Sequence, residues 1–112
     1  MGQNELAKEQ YKKGLKKDPA STHLLTDLGT YYLAQSVNGE QNKNLKTALS
    51  YLETSYKIDP KDVNTVFKLS VIHGFMNNCA EAWNFYNECK TLGGAPITAA
   101  FTKDLEARCP KE

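Results

Sequence analysis

Long apolar runs are missing from this 112-residue chain, although 40% of it is hydrophobic. No segment is apolar for long enough to span a bilayer. The opening MGQNELAKEQ also lacks the apolar core that a signal peptide needs. Gly2 follows Met1, but Leu6 stands where a myristoylation site wants Ser or Thr. An excess of one charge is missing too, with 14 basic residues against 13 acidic and a formal net charge of +1. That balance supplies no long-range pull toward nucleic acid or an anionic membrane, so neither partner is expected. Cysteine is sparse and odd in number: Cys79, Cys89 and Cys109. Three residues cannot close a disulfide framework, and their spacing fits no zinc module. The expectation is three reduced thiols, no metal and no cofactor, with a cytoplasmic location favoured. No phosphate-binding glycine loop is present, and Gly93-Gly94 reads as a helix stop.

What the chain does have is internal repetition, which is best sought first because it sets the fold. Ala48, Leu52, Ser55 and Pro60 recur 34 residues later as Ala82, Tyr86, Cys89 and Gly94. The same order occurs 41 residues upstream as Ala7, Tyr11, Gly14 and Pro19. A second set obeys the longer spacing: Leu25, Leu28, Gly29 and Tyr32 recur as Val66, Leu69, Ser70 and His73. The seven extra residues fall between the two sets in the first full copy, within residues 35–44, QSVNGEQNKN. Small residues suit a close helix crossing, because a larger side chain would push the axes apart. An aromatic or Leu four positions on fills the gap beside the crossing. Proline then ends the unit, since it cannot continue a helix.

This period and residue order resemble the tetratricopeptide repeat. Leu28, Gly29 and Tyr32 match the Leu-Gly and Tyr of that family's first helix, while Leu25 and Val66 replace its Trp. Ala48 and Ala82 match the Ala of its second helix, and Asp18-Pro19 and Asp59-Pro60 close units as its Pro does. Leu69, Ser70 and His73 depart further from the pattern. The resemblance covers nearly the whole chain. It implies an all-α fold of antiparallel helix-pair repeats, stacked into a right-handed superhelical array with a C-terminal capping helix. One domain over 1–112 is expected: a half repeat (5–19), a repeat with the loop insertion 35–44 (21–60), a second repeat (62–94) and the cap (96–109).

Six helices are expected, near residues 5–17, 21–35, 45–58, 62–76, 79–92 and 96–108. Ser21 and Asp62 are N-cap candidates, Asn78 and Glu81 have the spacing of a capping box, and Pro96 suits a first helical position. Ile97, Phe101 and Leu105 place one apolar stripe on the last helix, as a terminal cap requires. The first helix corresponds to the second half of a repeat, which would leave Leu6, Tyr11 and Leu15 partly uncovered and open to a second copy of the chain.

In the family, the first helices of each pair line a concave groove that holds a peptide or helix of another protein. By the resemblance, the groove positions here are His23, Thr26, Asp27, Thr30 and Leu33, then Asn64, Phe67, Lys68, Val71 and Phe75. Phe67, Val71 and Phe75 form an apolar strip that the core pattern does not demand, so a binding role and cover by the sixth helix or the insertion both stay open. Family members that hold carboxylate tails of large heat-shock chaperones place Lys, Asn and Arg there. Asp27 and Asn64 stand at two such positions, and Asp27 would repel a carboxylate, so that ligand class is not expected.

No catalytic residue is expected. His73 takes a packed repeat position and His23 a groove or surface one. Cys89 takes the small-residue position of a crossing, which suits a buried, inert thiol rather than a nucleophile with a base beside it. Lys8, Lys12 and Lys16 form one row with Lys13 and Lys17 beside it, read as a solvated face. The expected function is a protein–protein interaction scaffold, not an enzyme. The alternative is a self-association module of a larger protein, a homodimer through the first helix.

Overall fold

A computed structural model describes residues 2–36 and 41–110. The described residues are all helical or connecting, in six α-helices: α1 Gly2–Lys17, α2 Thr22–Ser36, α3 Gln41–Ile58, α4 Val63–Phe75, α5 Cys79–Thr91 and α6 Ala99–Arg108. They divide into two compact units, Met1–Pro60 and Lys61–Glu112. The division falls at Asp59-Pro60, where proline cannot continue α3. Of the expected insertion, residues 37–40 lie outside the described residues, and α3 begins at Gln41 rather than near 45.

In unit 1, α1 packs on α2 and α2 on α3. Ser21 starts α2 as expected, its Oγ accepting from the Leu24 N–H at 3.2 Å. Leu25, Leu28, Ala48, Leu52 and Ser55 are buried. The α2–α3 crossing is close because Gly29 has no side chain: a Cβ there would lie 2.8 Å from Leu52 Cγ and 3.4 Å from the Ala48 carbonyl oxygen. Tyr32 stacks on Tyr51 with ring centroids 5.9 Å apart. The α1 copy of the pattern is less well covered, with Ala7, Tyr11 and Gly14 only half-buried. Among the described residues, α1 has no helix against it but α2.

In unit 2, α4 pairs with α5 and touches α6. Val66, Leu69, Ser70, Ala82, Tyr86 and Cys89 are buried, the same repeat positions as in unit 1. Ser70 stands where Gly29 does, and its Oγ donates to the Ala82 carbonyl at 2.8 Å. The equivalent first-helix residue therefore meets the equivalent second-helix carbonyl in both units. Ser70 fits because its short hydroxyl is satisfied by that carbonyl. Asp62 caps α4, accepting from the Asn64 N–H at 3.1 Å and the Thr65 hydroxyl at 3.2 Å.

The expected starts of α5 and α6 need correction. Asn78 makes no side-chain cap. Its Nδ2 lies 3.2 Å from His73 Nδ1 instead, so the capping box with Glu81 does not form. Helix α6 starts at Ala99, not Pro96, because Thr98 is extended and its hydroxyl accepts from the Phe101 N–H at 3.0 Å. A side-chain acceptor satisfies an otherwise unpaired helix N–H, which proline at a first position cannot do. Gly93 and Gly94 end α5 as expected: both have positive φ, and the Gly94 N–H donates to the Cys89 carbonyl at 2.8 Å.

The expectation of three reduced thiols is overturned. Cys79 and Cys109 form a disulfide, joining the start of α5 to the end of α6 across 30 residues of sequence. Only Cys89 is free, and it is buried. The pairing was hidden because it depends on how α6 packs, which spacing along the chain does not specify.

Candidate protein-binding surface

The ten expected groove positions lie on α2 in unit 1 and on α4 in unit 2. On α2, His23 is exposed and its Nε2 lies 3.3 Å from the Asp27 carboxylate. Thr30 is half-buried, and its hydroxyl donates to the Thr26 carbonyl one turn back at 2.9 Å. Thr26 and Leu33 are buried instead of standing on an open face. The Thr26 hydroxyl lies 3.3 Å from Ser55 Oγ, inside the α2–α3 hairpin. A hydroxyl at that position can satisfy its partner across the crossing, which draws it inward.

On α4, Asn64 is exposed in the first turn, and Phe67, Lys68, Val71 and Phe75 are half-buried. Phe67 meets Phe101 of α6 edge to face, with centroids 4.9 Å apart. The Arg108 guanidinium sits 4.5 Å from the Phe75 ring centroid, and Arg108 Nε also pairs with Asp104 at 3.0 Å. Lys68 Nζ lies 5.9 Å from the Phe67 ring centroid, a cation over a π face. Thus α6 contacts both ends of the Phe67–Val71–Phe75 strip without burying it. Phe67 and Phe75 make aromatic and cation–π contacts, and each side chain of the strip keeps part of its surface in solvent.

The apolar stripe of α6 accounts for the rest of its packing. Leu105 and Cys109 join Ala82 and Tyr86 in one core cluster, with Ile97, Phe101, Cys79 and Trp83 against it. Gly74 makes room for Leu105, whose Cδ1 would be 3.2 Å from a Cβ at that position. The Tyr86 hydroxyl lies 2.9 Å from the Thr102 hydroxyl, and Trp83 Nε1 donates to the Cys109 carbonyl at 2.7 Å. Sequence reasoning missed Trp83 and Arg108. Trp83 follows the repeat position Ala82, and Arg108 belongs to a helix that had lost the repeat, so neither carried a signal of its own.

His73 is buried and stacks on Phe85 with ring centroids 5.6 Å apart. Burial also raises the Cys89 thiol above its usual range by penalising the thiolate. A buried thiol kept protonated is a poor nucleophile. Among the described residues, no group of His, Cys, Asp or Glu is placed to hold a metal ion. No helix among them is long and apolar enough to cross a membrane. On α1, Lys13, Lys16 and Lys17 are exposed and border a shallow open depression with Gln10 and Gly14, while Lys8 and Lys12 are half-buried. Leu6 on the same helix is 64% exposed.

No family model matches the chain, and no curated protein matches it either.

Proposed function

We propose that the chain is a tetratricopeptide-like interaction scaffold that holds a peptide or helix of another protein against the outer face of α4. The observation that carries this reading is the shared register of the two hairpins. Gly29 against the Ala48 carbonyl and Ser70 against the Ala82 carbonyl are the same contact built twice. A repeated close crossing is what a helix-pair array needs, and such arrays present extended surfaces rather than reaction centres. Phe67, Val71 and Phe75 then serve as apolar anchors at successive turns, with Lys68 beside them for an acidic group on the ligand. Rigid, partly exposed aromatic rings suit docking because little side-chain freedom is lost on binding. On α2, Asp27 beside His23 disfavours a carboxylate tail. No enzymatic activity is proposed.

Val71→Glu tests the reading. It charges the strip while leaving the Phe67–Phe101 and Phe75–Arg108 contacts in place. Wild type and variant, shown equally helical by circular dichroism, are used to capture partners from native extract. A protein retained by the wild type and lost from the variant supports the scaffold. Equal capture by both, or none by either, removes the α4 face as the site.

The exposed Leu6 favours a second reading, in which α1 pairs with another copy of the chain. Sedimentation at rising concentration separates the two, since self-association raises the mass and peptide docking leaves a monomer.

A further inference from the structure

The geometry points to α6 being a redox-controlled latch: the Cys79–Cys109 disulfide fastens it, and a dithiol reductant releases it from α4 and α5. This goes beyond the scaffold reading and stands without it, because what changes is helix protection and not partner binding.

Apart from the bond at its end, helix α6 is held by Leu105 in the core, by Phe101 and Arg108 against Phe67 and Phe75, and by the Tyr86–Thr102 hydroxyl pair. It has ten residues, and Leu105 is the one among them that is buried. Lys103, Asp104, Glu106, Ala107 and Arg108 are exposed. A helix this short is marginal in water without tertiary contacts. The α4–α5 pair is built differently. Its crossing is closed by Val66, Leu69, Ser70, Ala82 and Cys89, and the Ser70–Ala82 bond needs nothing from α6. The connection from α5 to α6 contains Gly93 and Gly94, which lack a side chain and so have the widest choice of backbone conformation, making them the point about which a released α6 turns. The bond sits at the far end of α6 from that point, where a fastener closes the longest loop. It spans 30 residues, and loss of the tether raises the number of open states accordingly.

The chemistry is thiol–disulfide exchange. Cys109 is fully buried and Cys79 half-buried, so a reductant thiolate reaches the Cys79 sulfur first. Attack there forms a mixed disulfide and expels the Cys109 thiolate, which takes a proton from solvent. The second reductant thiol attacks its own sulfur in the mixed disulfide and expels Cys79, which is protonated in turn. One dithiol is oxidised to a disulfide and one protein disulfide is reduced to two thiols. Released, α6 takes Phe101 from Phe67 and Arg108 from Phe75, and the whole α4 strip becomes accessible.

Trp83 supplies an optical reporter, since it is the one tryptophan and its indole N–H bonds the Cys109 carbonyl at 2.7 Å. The experiment compares amide exchange and Trp83 emission in the oxidised protein and after treatment with dithiothreitol, with reoxidation as the return step. On reduction, amides over 102–109 should exchange at least about tenfold faster, while those over 69–73 and 85–89 change by less than about twofold. Trp83 emission should shift to the red, and reoxidation should reverse both effects. The Cys79→Ser, Cys109→Ser double variant should resemble the reduced wild type without reductant. Unchanged protection of α6 on reduction overturns the latch. So does loss of protection in α4 and α5 in step with α6, because the bond would then staple the whole unit. A protein prepared without reductant that titrates three free thiols overturns it as well.

Discussion

A methyl group added at Gly29 tests the closest crossing in unit 1. A Cβ there would lie 2.8 Å from Leu52 Cγ and 2.9 Å from Leu52 Cδ2. Leu52 is fully buried, and the first clash is at its branch point rather than its tip, so rotating the end of the side chain gives no relief. Overpacking of this kind costs about 1–3 kcal/mol. Replacing glycine by alanine inside a helix returns about 1 kcal/mol of backbone propensity. The difference is a net loss of about 1 kcal/mol for Gly29→Ala, the middle of a range in which only the lower end of the overpacking cost is cancelled. Gly14→Ala is the control. Its Cβ would meet Leu24 Cδ1 at 2.7 Å, but that atom is the end of a half-buried side chain that can turn aside. Propensity should then win, with stability unchanged or raised by up to about 1 kcal/mol. Urea unfolding followed by far-UV circular dichroism gives both values on one scale. In thermal terms, a loss of 1 kcal/mol lowers the midpoint of a domain this small by about 4–8 °C. If Gly29→Ala is as stable as Gly14→Ala or more so, the helices do not cross as closely as described and the small-residue rule fails here.

Asp62→Ala should cost about 1 kcal/mol, because it removes the cap bonds to the Asn64 N–H and the Thr65 hydroxyl. Glu81→Ala should stay within about 0.5 kcal/mol, since Asn78 provides no cap for it to complement; urea midpoints compare the two. The raised pKa of Cys89 makes a pH prediction. The folded state holds that thiol proton more tightly than the unfolded chain, so its contribution is complete below the ordinary value of 9.0 and declines as pH rises past it. Wild type should therefore lose more stability than Cys89→Ala between neutral pH and that alkaline range, and parallel curves would show that the thiol is not buried in solution.

Much of the helical content was legible because periodicity and punctuation agree along the chain. Asp18-Pro19, Asp59-Pro60 and Gly93-Gly94 each stop a helix by a local mechanism, and Ser21 and Asp62 each start one by a local bond. The buried set was legible for the same reason: Leu25, Leu28, Ala48 and Leu52, and their counterparts Val66, Leu69, Ala82 and Tyr86, lie at repeat positions. Local signals also competed, and there packing chose between them. Pro96 and Thr98 both suit a helix start, and the hydroxyl that bonds the Phe101 N–H prevailed. Asn78 could cap α5 or meet His73, and the choice depended on a side chain brought near by the turn between α4 and α5.

The candidate surface was legible only in outline. Repeat position placed Phe67, Val71 and Phe75 on one strip of α4, but it placed Thr26 on an open face when Ser55 draws it inside. Whether α6 touched the strip could not be read, because Phe101 and Arg108 approach Phe67 and Phe75 from more than thirty residues away in sequence. By itself, then, the sequence determined the helices, their stops, and the small residues at which paired helices cross. These follow from backbone conformation and volume within a few turns of chain. Only the tertiary structure decided that Cys79 meets Cys109 and that α6 lies against the aromatic strip. Each of these depends on where a distant segment comes to rest, and that position is set by packing that no local pattern encodes.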